Sequence, residues 1–536
     1  MKIHTLNRRM VLAGLAAGAA APLLSACTAN ADGPAPGTTP AGVIPGSGQT
    51  SGALPPSGAQ QAEVVVVGAG YSGLACARRL AASGVDVRVL EGRGRVGGRC
   101  VNQRLPAPYD ASVVEGGAEF IGPQQLVMQA LVKELNIGTF DAFNAGQTVN
   151  YMNGQATPYS GRIPPGNPLD LLGAQGAITK LNNMAATVNT ATPWAAPSAA
   201  KWDAMTVQDW MDNAIGIGAD QHLPYTAGTK TLLQLAIIAI FSAEPRDISL
   251  LYLLFYIAGA AGDINQLIDT QGGAQQTRIV GGSQAIAIAM ANTLADRIAF
   301  NAPVTQVDQT AGYIVVSGSG FSYTAQRVVV AMSPWPAGRI HYTPLHGNDA
   351  QPDDPANTLA GLMQARLQLM QHYPMGSIWK VHCVYETPFW RASGLNGQVT
   401  SDAFLPKVTF DNTPPEDGAP GVLMGFIDGQ DARDACLMTH AERKANVTQA
   451  FTAYFGSQAA NPLAYLESNW QGEDFSGGGP VGVPGPGVIT GYTSALAAPI
   501  GRLHWAGTET ATRWSGYMDG AVSAGERAAQ EVLEML

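Results

Sequence analysis

Glu63-Val64-Val65-Val66-Val67-Gly68-Ala69-Gly70-Tyr71-Ser72-Gly73-Leu74 is the stretch that decides the fold of this chain. Glu63 to Val67 is a short β-branched run, the signature of a strand buried on both faces of a parallel sheet. It runs directly into three spaced glycines and then into a helical pattern, Leu74, Ala77, Leu80 and Ala81. In such a turn Gly68 permits the sharp bend, Gly70 lets a pyrophosphate approach the backbone, and Gly73 lets helix and strand pack closely. The free N–H groups of the helix start then face the phosphates. A second strand, Val87 to Leu90, ends at Glu91, about 20 positions after the first glycine, where an acid holds a ribose hydroxyl. Strand, turn, helix, strand and acid together predict an α/β fold that binds a dinucleotide.

Past the acid the chain reads Glu91-Gly92-Arg93-Gly94-Arg95-Val96-Gly97-Gly98-Arg99. Near the other end it reads Leu503-His504-Trp505-Ala506-Gly507-Thr508-Glu509-Thr510-Ala511-Thr512-Arg513-Trp514-Ser515-Gly516-Tyr517-Met518-Asp519-Gly520-Ala521. From Tyr517 onward Met518, Ala521, Val522, Ala528, Val532 and Leu533 share one helical face. Such a helix start stabilises negative charge placed against it. Both stretches resemble the flavin-containing monoamine oxidase family, the first also its glutathione-reductase-like relatives. Further landmarks of that family follow in order: Glu115-Gly116-Gly117-Ala118-Glu119, Gly281-Gly282-Ser283, Pro303-Val304, Pro388-Phe389-Trp390, Trp470 and Ser476-Gly477-Gly478. The resemblance covers about residues 62–536.

The resemblance implies a Rossmann-type FAD-binding domain (62–150, 276–345 and 466–536) interleaved with an α+β substrate domain (151–275 and 346–465). It implies FAD held by Gly68, Gly70, Ser72, Gly73, Glu91, Gly92, Arg93, Gly98, Arg99, Val304, Trp470, Glu509, Tyr517 and Met518. Arg93 and Arg99 are expected near the phosphates, where a guanidinium pairs bidentately. The implied reaction moves a hydride from the α-carbon of an amine or amino acid to flavin N5. The imine then hydrolyses to an aldehyde or keto product, and oxygen or a periplasmic carrier reoxidises the flavin. The alternatives are an FAD-dependent oxidase or desaturase of a non-amine substrate, and a flavin-holding lipoprotein with little catalysis.

Three positions depart from the family pattern. Gly479 stands where animal members carry the cysteine that bonds to flavin, so FAD is expected to be non-covalent. Pro480 replaces the first of two tyrosines that sandwich the amine, leaving Tyr517. Arg339 occupies the place assigned to a lysine that reaches flavin N5 through a water, unless it is a solvated strand end. Tyr385 aligns with a substrate-cavity tyrosine, and its other reading is an interior strand residue. The apolar helices expected at Thr229 to Phe241 and Leu250 to Ala258 line the cavity or, more simply, fill the core.

Composition sets outer bounds. A chain of 536 residues with 46% hydrophobic and 13% charged residues is globular and long enough for more than one core. A formal net charge of −10, with no cluster of Lys and Arg, argues against a nucleic-acid partner. Five scattered cysteines (Cys27, Cys76, Cys100, Cys383 and Cys436) offer no zinc spacing, and inert thiols are expected for the last four. Residues 1–27 read as an export signal, with Lys2, Arg8 and Arg9 ahead of a weakly apolar stretch, Met10 to Leu24. Arg8-Arg9 resembles a twin-arginine signal and Leu24-Ser25-Ala26-Cys27 a lipobox, making Cys27 the lipidated residue; the alternative is cleavage near Ala29 or Ala31. Residues 28–61, rich in Pro, Gly, Ala, Thr and Ser, are expected to be a flexible linker. These readings place the protein outside the cytoplasm, in the periplasm or on the outer face of the membrane, held there by lipid alone.

Overall fold

The computed structural model describes residue 54 and residues 57–161, 164–310, 312–343 and 355–536. The export signal and Cys27 lie outside the described residues. Five parallel strands form the nucleotide sheet in the spatial order Ile298–Ala299, Val87–Leu90, Val64–Val67, Arg327–Val330, Leu503–Trp505. In chain order this is 3-2-1-4-5, the doubly wound arrangement whose ligand crevice opens at the carboxyl ends beside strand 1. All four valines of Val64–Val67 are buried, each contributing about 1.5–3 kcal/mol by leaving water.

The helix Tyr71–Ala82 leaves that strand through the turn at Gly68, whose φ of 104° is a left-handed conformation suited to glycine. It packs on the C-terminal helix Met518–Leu533 through small residues. A Cβ on Gly525 would lie 2.1 Å from the carbonyl oxygen of Ser72, so the two backbones touch. The first and last parts of the chain therefore close one layer together.

A seven-stranded mixed sheet carries the other domain, in the order Ala464–Asn469, Ile378–Tyr385, Gly421–Asp428, Val408–Asp411, Leu395–Ser401, Gln147–Met152, Gln155–Tyr159. Its strands move two expected boundaries. Gln147–Met152 pairs with Leu395–Ser401 and so joins this sheet across the 150/151 border. Ala464–Asn469 pairs with Ile378–Tyr385 across the 465/466 border. Gly58–Gln61, the end of the expected linker, is an edge strand paired in parallel with Phe321–Ala325. Backbone pairing, which needs no apolar side chain, recruits these polar residues. The helices Ala227–Phe241 and Leu250–Gly259 form the core of the helical part, yet Ala239, Ile240 and Tyr256 also reach the central cavity. Both expected roles are filled.

Candidate active site

A cavity of about 1900 Å³, its solvent-open mouth included, runs from the Gly68 turn to the face of the seven-stranded sheet. Gly68, Gly70, Ser72, Glu91, Gly92, Arg93, Gly98, Arg99, Val304, Trp470, Tyr517 and Met518 all line it. They come from five separate chain segments, brought together by the strand order.

Two helix N-termini meet the cavity, at Tyr71 and Met518, and neither has a capping side chain at its N-cap position. Their N–H groups are left for an anionic guest. Glu91 is buried, accepting from the amides of Ala69 at 2.7 Å and Arg93 at 2.9 Å, which holds the turn in shape. Gly73 stands behind this surface rather than on it. A Cβ there would lie 1.9 Å from the Gly68 carbonyl oxygen. Phosphate-sized space, free amides and a fixed carboxylate fit the dinucleotide end of FAD.

The two arginines are engaged with carboxylates. Arg93 donates to Glu473 at 2.6 Å and to the Ser476 hydroxyl at 2.8 Å. Arg99 forms a two-pronged pair with Glu509, at 2.8 and 3.2 Å, and donates to the Pro480 carbonyl at 2.6 Å. Glu509 is fully enclosed behind the wall, where it also accepts from Ser333 at 3.0 Å. Burial pushes its carboxyl up, but Arg99 and the hydrogen bonds outweigh this and hold it below the usual range. In place of the expected direct contact with the cofactor, Glu509 fixes Arg99.

Arg339 and Tyr385 are not brought to the site. Arg339 is exposed, donates to the Asp474 carbonyl at 2.8 Å and lies over the Trp335 ring. It follows the short helix Pro334–Ala337, whose end points its long side chain to solvent. Tyr385 is buried among Phe389 and Trp390 and donates to the Ala459 carbonyl at 3.1 Å. It points to the far face of its strand, away from the cavity.

Among the described residues, the lysine that lines the cavity is Lys380. It lines the cavity from the middle of Ile378–Tyr385, donating to Gly117 O at 3.0 Å and Glu119 Oε2 at 2.5 Å. Arg278 lies 2.8 Å from the other Glu119 oxygen and 2.7 Å from Glu115. Burial raises the Glu119 carboxyl, against the pull of Lys380 and Arg278. The signal for Lys380 was in the sequence: one lysine inside the buried run Ile378-Trp379-Lys380-Val381.

Tyr517 stands at the start of the C-terminal helix, its ring 6.0 Å from that of Tyr256 and its hydroxyl on the Leu267 carbonyl. With Phe120, Ile240, Leu267 and Phe426 these rings make the sheet end of the cavity apolar. Gly479 and Pro480 are also in the wall and offer no nucleophile. Cys100 lines the cavity too, but burial pushes its thiol up to about 12, so it stays protonated and unreactive. The residues present fit a non-covalently held FAD.

The comparisons agree with this geometry. Residues 71–533 match the family described as flavin containing amine oxidoreductase. AofH of Mycobacterium tuberculosis, named as a flavin-containing monoamine oxidase, is 37% identical over 475 residues, covering 88% of this chain and 97% of that one. Amine oxidase B of Homo sapiens is 34% identical over 479 residues, covering 88% and 86%. Among solved structures, putrescine oxidase bound to putrescine superposes with a TM-score of 0.79 at 29% identity, covering 89% of this chain and 100% of that one. Cyclohexylamine oxidase from Brevibacterium oxydans gives 0.78 at 28%, covering 90% and 99%. With its nucleotide turn, paired helix starts and aromatic far wall all in place, the chain belongs to the flavin containing amine oxidoreductases, FAD-dependent enzymes that oxidise amines.

Proposed function

We propose that the substrate is an amine without a carboxylate and with an apolar body, taken as the neutral base and oxidised at its α-carbon. One observation carries this. Among the described residues, every arginine or lysine in the cavity wall is already paired: Arg93 with Glu473, Arg99 with Glu509, Lys380 with Glu119. An amino-acid carboxylate would enter among Tyr517, Tyr256 and Phe426 with no free cation to meet it, at a large desolvation cost. The putrescine and cyclohexylamine named for two structural relatives likewise lack a carboxylate.

FAD supplies the two-electron acceptor chemistry. The chain's own residues position and exclude. Tyr517 and Tyr256 present aromatic faces to the amine, and Phe120, Ile240 and Phe426 remove water from around its body. The unfilled start of Met518–Leu533 favours the negative charge that develops beside it. Oxygen is the acceptor we assign; Lys380, although paired with Glu119, keeps its charge in the cavity wall and adds a positive field for the reduced oxygen species.

The test is anaerobic mixing of holoenzyme with benzylamine, hexylamine, phenylalanine and putrescine while the oxidised-flavin absorbance is followed. Fast bleaching by the two monoamines and none by phenylalanine supports the reading. Bleaching by phenylalanine alone refutes the substrate class, and bleaching by nothing moves the protein to a non-amine substrate.

The sequence supports a location to match. We assign export through Arg8-Arg9 and lipid anchoring at Cys27, which would put amine oxidation on the outer side of the membrane. Fractionation of C27S decides this: release of the protein from the membrane pellet supports the anchor, and retention removes it.

A further inference from the structure

Ser242 is a serine where a helix end would ordinarily carry glycine. It terminates Ala227–Phe241 at φ 50° and ψ 39°, a left-handed conformation that strains a residue with a side chain. Its side chain is put to use. The hydroxyl donates to Asp428 Oδ1 at 2.6 Å, and the residue lines the central cavity. Its carbonyl accepts from Ser377 at 2.8 Å, and the Ser377 carbonyl accepts from Gly429 at 2.9 Å, so strand and helix end are locked together.

Asp428 occupies the N-cap position of Gly429–Ala435, the usual place for an aspartate that caps, yet its carboxylate makes no capping bond. In the antiparallel pairing Asp428 is opposite Ile378, and Phe426 is opposite Lys380. Directly opposed residues share a face, and Ile378, Phe426 and Lys380 all line the cavity. The carboxylate thus lies on the cavity side of the sheet, one hydroxyl back from the substrate space. The charged groups around it are otherwise engaged. Lys407 is paired with Asp431 at 2.5 Å, and Glu244 accepts from the Gln430 amide at 3.0 Å. No cation is paired with Asp428 among the described residues.

Resting on the amine-oxidase reading above, we propose that Ser242 and Asp428 form a proton relay that converts the incoming ammonium to the reactive neutral amine. A hydroxyl has one proton to give and two lone pairs to receive. Ser242 Oγ accepts an N–H proton of the ammonium while its own proton passes to Asp428 Oδ1. The N–H bond and the Ser242 O–H bond break, and a new Ser242 O–H and an Asp428 O–H form. Ammonium and carboxylate become amine and carboxylic acid, and no electrons change hands. Burial, opposed by the Ser242 bond and the Lys407 charge and helped by nearby Asp431, pushes Asp428 up to about 7. A carboxylate raised in this way is still a weaker base than an amine titrating near ~10. It stands about three pH units closer to that amine than an ordinary aspartate does, and so lowers the cost of the transfer. Ser242 touches the substrate, and Asp428 acts through it.

The first readout needs no turnover. Adding tert-butylamine, which has no α-hydrogen, to oxidised holoenzyme at about pH 8.5, where Asp428 is mostly ionised beforehand, produces a carboxylic-acid C=O band in the infrared difference spectrum. The band is absent in D428N, and its absence from the wild type overturns the relay. The second readout is the pH profile of anaerobic flavin reduction by an amine that the wild type oxidises. In D428N and S242A the acidic limb moves up toward the amine's own pKa, with a loss of roughly tenfold or more at neutral pH, and D428E recovers most of it. A drop that is equal at every pH, or an unchanged profile, means that the pair only braces the helix end. If the wild type is reduced by no amine, the substrate reading has failed and the infrared band alone judges the relay.

Discussion

Lys380 and Glu119 meet at 2.5 Å inside the cavity wall, both about 1% exposed, across 261 positions of sequence. Neither is an ordinary core residue. The pair is anchored on its other side by Arg278 and Glu115, so two cations and two carboxylates balance without solvent. Buried networks of this kind give little net stability when intact but are costly to break.

Replacing either partner costs stability, so the chemistry of Lys380 is read from the two half-reactions of folded holoenzyme. K380M should slow oxygen reoxidation of photoreduced holoenzyme by roughly tenfold or more, since a preorganised positive charge is lost. Anaerobic reduction by amine should change far less. Stopped-flow traces of the two half-reactions check this. E119A likewise breaks the pair, leaving a buried cation unpaired, and should destabilise the fold by about 3–5 kcal/mol in denaturant melts.

Gly525 tests the closure between the two chain ends. G525A places a methyl group 2.1 Å from the Ser72 carbonyl oxygen, so the helices must part. The expected cost is about 1–3 kcal/mol, with flavin lost on gel filtration because the Gly70–Gly73 turn moves with Ser72. Full flavin occupancy in G525A would show that the contact is slack.

Acid titration reports on Glu509. Its folded pKa is depressed, so its contribution is present above the unfolded value of about 4.3 and lost as pH falls through the lower folded value. E509Q should be less stable than the wild type at neutral pH. The gap between their melting temperatures should close below about pH 4. A constant gap would mean that packing, not charge, carries the effect.

Asp428 has the opposite sign. Its folded pKa is raised to about 7, so wild-type stability falls as pH rises from the unfolded value near ~3.9 through about 7. D428N should escape that fall and melt higher than the wild type above neutrality, by on the order of a few kcal/mol in stability. A protein more stable and less active would match a group kept for chemistry.

Flavin attachment is checked by acid precipitation. The wall offers Gly479 and Pro480 beside the aromatic end and a protonated Cys100, so all yellow chromophore should stay in the supernatant.

The parts of this fold that were legible are those whose causes are local. Val64–Val67, the turn at Gly68, the helix from Tyr71 and the helix from Met518 each follow from neighbouring residues, and the structure has them nearly where the periodicity puts them. What escaped depends on pairing at long range. Arg99 meets Glu509 across 410 positions, and no pattern around Arg99 says that a carboxylate claims it first. Position 339 rests on the resemblance of a short local motif, while strand register decides that Lys380 faces the cavity. Ser242 and Asp428 are ordinary in sequence. Only the left-handed φ of one and the idle capping position of the other mark them.

The strand order has a consequence for how the protein is made. The turn that receives the pyrophosphate leaves the ribosome about 450 residues ahead of Met518 and the helix that seals the site. At about 5–20 residues per second, the Gly68 turn waits on the order of tens of seconds for its partner. During that wait the apolar face of Tyr71–Ala82 has nothing from the C-terminal helix to cover it. A nascent chain stopped short of residue 518 thus lacks both the partner of Tyr71–Ala82 and one of the two helix starts that face the cavity.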